Sequence, residues 1–196
     1  MTWNTLTPEI ASLWAGRLWE LLMLVWIVLW FGMKKAKKRE SWKERTQYSL
    51  LLVLGFYLVF GGPWIWGPLN YRLLPSTPDV LWTGLTVTTL GIAISIWARL
   101  SLGSNWSGTV TLKDNHELIR KGLYRWIRHP IYSGILLGAL GSAIINGHVR
   151  GFVGVLVVLL SFYIKARREE RFLREEFGTG FDEHSRQTGM FLPKLT

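Results

Sequence analysis

Pro130–Ile164 reads PIYSGILLGALGSAIINGHVRGFVGVLVVLLSFYI, two apolar runs joined only by Gly147-His148. About 20 apolar residues cross a bilayer, somewhat fewer if the ends snorkel. The runs ending near Asn146 and covering Val149–Ile164 are short, so they predict a tight antiparallel pair of membrane helices. Working outward, three further spans are expected, at about Leu18–Met33, Ser49–Trp66 and Val80–Leu100. The first follows Arg17 and Glu9 and ends in Lys34-Lys35, with no small-residue cleavage site. It reads as a retained transmembrane helix, not a cleaved signal. The fold class is therefore an all-α integral membrane protein with about five transmembrane helices, a single domain over residues 1–196.

Charge is distributed to match. The chain of 196 residues is 49% apolar, carries 12 Trp and has a net charge of +10. Between the first two spans lie Lys34, Lys35, Lys37, Lys38, Arg39, Lys43 and Arg45 against Glu40 and Glu44; between the next two there is only Arg72 against Asp79. Residues 101–130 are basic again, the Gly147-His148 turn is nearly bare, and the tail from Lys165 is rich in Lys and Arg. This alternation places the N-terminus outside and the C-terminus in the cytoplasm. Lys and Arg beside apolar spans point to the lipid bilayer and its anionic headgroups, and to no nucleic acid. Most Trp side chains read as interfacial anchors.

With no Cys there is no thiolate nucleophile or thiolate metal site. His116 and His129 lie 13 residues apart without a third ligand at metal spacing, so no metal is expected. The chain also lacks a P-loop, a G-x-S-x-G elbow, an H-E-x-x-H helix and a dinucleotide fingerprint.

Two cytoplasmic stretches are too patterned to be plain connectors. In the first, Thr109–Leu112 alternates at period two, and Lys113-Asp114-Asn115-His116 is turn chemistry. This stretch continues to Arg128-His129-Pro130, where Pro130 suits the first turn of a helix and His129 sits beside its free N–H groups. The second, Lys165–Gly178, predicts a helix continuing from the fifth span and capped by Gly178. Ala166, Glu170, Leu173 and Phe177 fall on one stripe, and Lys165, Glu169, Phe172 and Glu176 on the next. Two readings of Glu169 and Glu170 stand: members of a functional site, or a solvated face paired with Lys165 and Arg174.

These stretches resemble the isoprenylcysteine carboxyl methyltransferase family, integral membrane S-adenosylmethionine-dependent enzymes related to the phospholipid N-methyltransferases. The matching residues are Ser104–Ser107, His116–Ile119, Gly122–Tyr124, Arg128–Tyr132, Glu169-Glu170, Glu175–Gly178 and the closing Thr188–Leu195. The match covers about the last hundred residues. The first two spans match only in hydrophobicity.

The resemblance implies three N-terminal spans over 1–100 and a methyltransferase core over 101–196, with a cytoplasmic cofactor-binding loop, a helical hairpin and a C-terminal helix. It implies cofactor contacts to S-adenosyl-L-methionine from His116, Glu117, Leu118, Ile119, Tyr124, His129, Pro130, Ile131, Tyr132, Glu169 and Glu170. The catalytic set is Lys165, Arg168 and Glu169. The family's substrate-carboxylate Arg falls on Lys165, which can pair with a carboxylate but lacks the bidentate fork. The family's tail aromatic pair becomes Phe181 and His184.

Carboxyl O-methylation of an isoprenylcysteine-like, lipophilic or prenylated substrate is the leading expectation. A carboxylate is already ionised at pH 7 and needs no general base. N-methylation of a phosphatidylethanolamine-type lipid is the alternative, and would require Glu169, Glu170 or His129 as base. A sterol-reductase-like enzyme, which shares the R-H-P and acidic motifs, and a non-enzymatic membrane protein rank behind both.

Overall fold

The computed structural model describes residues 6–31, 36–61, 65, 67–103, 106, 111–113 and 118–194. Helices α1 (Pro8–Trp30), α2 (Trp42–Phe60), α3 (Pro78–Leu102), α4 (Pro130–Asn146) and α5 (Val149–Phe177) correspond to the five expected spans, and α6 (Thr179–Gln187) follows. α1, α3 and α5 are long and apolar enough to cross a membrane, and α4 is a shorter apolar helix. At 1.5 Å per residue α4 is roughly 25 Å long, just short of a hydrocarbon core.

Helix ends moved where capping outweighs hydropathy. α1 begins ten positions before the expected Leu18, because Thr7 caps it by accepting from the Ile10 N–H and Pro8 supplies the first turn. α2 begins at Trp42, not Ser49, because Ser41 and Glu44 close a reciprocal capping box that carries a polar first turn. It ends at Phe60, with Gly61 at φ 76° as its left-handed cap. The expected ends Met33 and Trp66 lie outside the described residues.

Small residues bring the helices together. On α3, Gly84, Thr88, Gly91 and Ser95 face Gly134, Gly138 and Gly141 of α4 so closely that a Cβ on Gly91 would lie 2.6 Å from the Gly134 carbonyl. Gly55 of α2 meets Gly154 and Val158 of α5 in the same way. Such stripes drive helix association where lipid supplies no hydrophobic contrast. Large side chains turn outward instead: Leu24, Ile27 and Val28 of α1, Leu50 and Val53 of α2, and Leu156 of α5 are exposed.

α4 and α5 form the expected hairpin, turning at Gly147, φ 70°. The period-two stretch is in part a strand: β2 (Thr111–Lys113) pairs antiparallel with β1 (Ala36–Arg39). Of that stretch, Thr109 and Val110 lie outside the described residues.

Candidate active site

His129 is the residue before α4, and its main chain is clamped by the C-terminal segment. The Arg128 N–H donates to the Gly189 carbonyl at 2.9 Å, and the His129 N–H to the Met190 carbonyl at 3.0 Å. In return the Gly189 N–H donates to Trp126 at 3.1 Å, and the Ser133 hydroxyl to the Phe191 carbonyl at 2.5 Å. The closing Thr188–Leu192 segment is therefore the brace of the histidine.

α5 enters the same space from the side. Val158, Ser161, Phe162, Lys165, Ala166 and Glu170 are buried at helical spacing. The His129 ring is caught between two successive carboxylates, Nδ1 3.4 Å from Glu169 Oε2 and Nε2 3.3 Å from Glu170 Oε1. Two acceptors on one imidazole call for two N–H donors, which only the imidazolium has. Burial alone would depress its pKa, but the hydrogen bonds to Glu169 and Glu170 and their charges outweigh that and raise it above the ordinary histidine value. His129 is thus a cationic brace, a poor base.

The two glutamates differ. Glu170, 6% exposed, accepts from Arg128 Nε at 2.7 Å, and Arg128 also reaches the Ser185 carbonyl and both oxygens of Thr188. Glu169, 21% exposed, accepts from the Tyr132 hydroxyl at 2.6 Å. Glu170 belongs to a closed structural network, whereas Glu169 keeps an open side. Of the two cations expected beside them, Arg174 pairs instead with Asp182 at 2.7 Å, while the Lys165 charge does act on Glu169.

Aromatic rings wall the pocket. Tyr132 stacks on Phe162 at 4.5 Å and on His129 at 5.4 Å between centroids. Tyr124 packs with Ala98, Trp106 and Ile131, and Ile119 joins that cluster. Burial raises the Tyr124 phenol far above its usual range, so it stays neutral. The Lys165 ammonium lies 5.6 Å from the Tyr48 ring and 5.3 Å from the Tyr132 ring, buried one turn before Glu169. At those distances the ring faces attract the cation.

The predicted residues Tyr124, His129, Pro130, Ile131, Tyr132, Lys165, Glu169 and Glu170 come together where the end of α3, the start of α4 and the C-terminal half of α5 meet. Arg168 turns toward α2, donating to the Glu44 carbonyl and, at 2.6 Å, to Gln47 Oε1. Leu118 is half-buried in irregular chain beside Ile119; His116 and Glu117 lie outside the described residues. Phe181 and His184, on α6, are both buried. Burial, then Arg120 and Arg128, push the His184 pKa down.

Sequence reasoning missed Arg128 as a partner of Glu170, and it missed Tyr48, Phe162 and Phe191. Arg128 stood in the quoted motif, and the R-H pair beside a helix start was the signal. Tyr48 had none, because its ring arrives from a helix far away in the chain. Arg99 was also missed: 1% exposed, it donates to the Leu29 and Gly103 carbonyls at 2.9 and 2.8 Å and lies 4.5 Å over Trp106. It fastens α1 and the start of the loop to α3.

The phospholipid methyltransferase family model matches residues 80–180, just over half of the chain. A probable protein-S-isoprenylcysteine O-methyltransferase of Oryza sativa subsp. indica is 32% identical over 117 residues, covering 58% of this chain and 61% of that protein. The protein-S-isoprenylcysteine O-methyltransferase of Dictyostelium discoideum is 23% identical over 191 residues, covering 95% and 76%. The solved structure of the eukaryotic intramembrane Ras methyltransferase ICMT superposes with a TM-score of 0.56 at 25% identity, over 76% of this chain and 52% of that one. The chain spans about three fifths of the length of its rice relative.

Proposed function

We propose, since the chain belongs to the phospholipid methyltransferase family, that it transfers a methyl group from S-adenosyl-L-methionine to the carboxylate of an isoprenylcysteine-like lipophilic substrate. The observation that carries this reading is the buried Lys165 ammonium between the Tyr48 and Tyr132 rings, one turn from Glu169. A cation so placed attracts an acidic acceptor and repels an ammonium one. On this reading residues 101–196 are the methyltransferase core, the first hundred residues are spans, and the loop and C-terminus are cytoplasmic.

The donor set fits the cofactor. Glu169 has an open side beside Tyr132, and Tyr124 lies in the adjoining aromatic cluster. A carboxylate there suits ribose hydroxyls or an amino group, and the rings suit adenine. Glu169 is the residue proposed to hold the cofactor, with His129 and Tyr132 orienting it and Ile119, Pro130, Ile131 and the chain before them closing the pocket. When bound, S-adenosyl-L-methionine brings a methyl group on a sulfonium, open to in-line displacement. Lys165 holds the acceptor carboxylate, assisted by Arg168 from the α2 side. No residue takes a proton, since the acceptor oxygen is already anionic, and the chain's contribution is positioning. The lipophilic part of the acceptor enters from the bilayer between helices.

The test is a radiolabelled-methyl assay over prenylcysteines and phosphatidylethanolamine. Label released as methanol by mild base identifies a methyl ester and supports the reading. A base-stable label on the lipid headgroup overturns it in favour of N-methylation.

A further inference from the structure

The other end of the bundle carries a feature unrelated to methyl transfer. His148 caps the start of α5, and Arg72, from the irregular segment before α3, pairs with it as an isolated antiparallel bridge. The Val149 N–H donates to the Tyr71 carbonyl at 3.0 Å and the Leu73 N–H to the Gly147 carbonyl at 2.7 Å, which fixes the segment against the α4–α5 turn. Arg150 follows at the first turn of α5, its guanidinium packed flat on Gly61, where a Cβ would lie 2.8 Å from Cζ. Three cationic or protonatable groups from two parts of the chain thus meet around one helix start.

The charges acting on the His148 ring are Arg150 and Arg72, both repulsive and only partly offset by a backbone hydrogen bond at Asn146, and among the described residues no carboxylate acts on His148 or Arg150. Burial first, then those two charges, push the His148 imidazole below its ordinary pKa. Two buried nitrogens are also without a hydrogen-bond partner: Arg150 Nη1, which is always an N–H donor, and His148 Nδ1, which donates in one tautomer or when protonated. Buried N–H groups are almost always satisfied, so orphans clustered with like charges mark a missing acceptor of opposite sign. The free N–H groups of the α5 start add to the same field. Leu69, Tyr71 and Leu73, flanking Arg72, are exposed apolar side chains, as a segment lying at a lipid interface would present.

We propose that Arg72, His148 and Arg150 form a binding site for a phosphate-bearing anion at the end of the bundle remote from Glu169, occupied by the headgroup of an anionic phospholipid. Arg72 and Arg150 supply charge-assisted donors to the phosphate oxygens, and the exposed apolar residues beside them lie along the acyl chains. The site holds α2, the α4–α5 turn and the segment before α3 together, where no regular ladder joins them among the described residues.

The test is thermal unfolding of the full chain in an uncharged detergent, with phosphatidylglycerol, diacylglycerol of the same chains, or inorganic phosphate added. At a hundredfold excess over Kd, phosphatidylglycerol should raise Tm by about 5–10 °C, and diacylglycerol should not. Arg72→Gln and Arg150→Gln should each remove at least half of that rise, while Arg186→Gln, an exposed cation on α6, should keep it. An equal rise with inorganic phosphate, lost in the same variants, keeps the anion site and replaces the lipid by the free ion. Should Arg150→Gln fail to fold, Arg72→Gln decides alone, because Arg72 is exposed. An unchanged rise in Arg72→Gln, or an equal loss in Arg186→Gln, overturns the site.

Discussion

His129 and Glu170 meet across 41 positions of sequence, Nε2 of the imidazole 3.3 Å from Oε1 of the carboxylate. Arg128 reaches the same oxygen at 2.7 Å, so one carboxylate fastens the start of α4 to the C-terminal part of α5. The neighbouring Glu169 grips the other side of the ring, yet keeps an open face. Adjacent acids with different surroundings should respond differently to the same change.

Glu170→Gln is expected to destabilise the protein, because removing one partner of a buried ion pair costs about 3–5 kcal/mol. Glu169→Gln is expected to leave the fold intact and to weaken S-adenosylhomocysteine binding by about 10- to 150-fold, the loss of a charge-assisted hydrogen bond of roughly 1.5–3 kcal/mol. Calorimetric titration alongside melting curves separates the two. Unchanged affinity in Glu169→Gln would remove it from the cofactor site.

The pH dependence of stability should carry the mark of His129. Its folded pKa is raised, so its contribution is fully present below the unfolded value of about 6.5 and is lost as pH rises through the folded pKa. The groups facing the ring are Glu169, Glu170, Tyr132 and Phe191, with Arg128 behind Glu170. The melting-temperature gap between wild type and His129→Gln should therefore be widest at pH 6 and narrow toward alkaline pH. His184, whose pKa is lowered by burial, Arg120 and Arg128, should give the opposite slope: its contribution is present above about 6.5 and is lost as pH falls. A gap for His129→Gln that widens with pH would contradict the caged imidazolium.

Lys165 discriminates among acceptors. Lys165→Ala should raise KM for a prenylcysteine acid and leave cofactor affinity nearly unchanged, while Lys165→Arg should retain activity, because a guanidinium can grip a carboxylate with two prongs. With an amine acceptor, Lys165→Ala should be neutral or beneficial. Steady-state kinetics of both variants on one acid and one amine decide it. Equal effects on both acceptors would mean that Lys165 acts through stability alone.

The helix interface can be probed without touching the site. Gly91→Ala drives a methyl group into the main chain of Gly134 and Gly138, where nothing can give way. Overpacking of this kind costs about 1–3 kcal/mol or more. Gly16→Ala on α1 meets nothing within 4 Å and should be neutral or gain up to about 1 kcal/mol from helix propensity. In detergent, the melting temperature of Gly91→Ala should fall below wild type, while that of Gly16→Ala should match or exceed it.

Hydropathy and charge spacing alone determined the five long helices α1–α5, the α4–α5 hairpin and the tail helix ending at Gly178, because these properties are local and each helix satisfies its own backbone in lipid. The motif residues were legible too: His129, Tyr132, Glu169 and Glu170 stood out as polar groups beside helix ends. The tertiary structure decided which of the paired glutamates is sealed by Arg128 and which is open, because that depends on where the Thr188–Leu192 segment returns to the start of α4. It also brought Tyr48 from α2 over Lys165 and gathered Arg72, His148 and Arg150 at an end that looked bare of charge along the chain. Periodicity fixes which face of a helix a side chain lies on. Which partner meets that face is set by close approach of glycine-lined helices distant in sequence, and no local pattern encodes it.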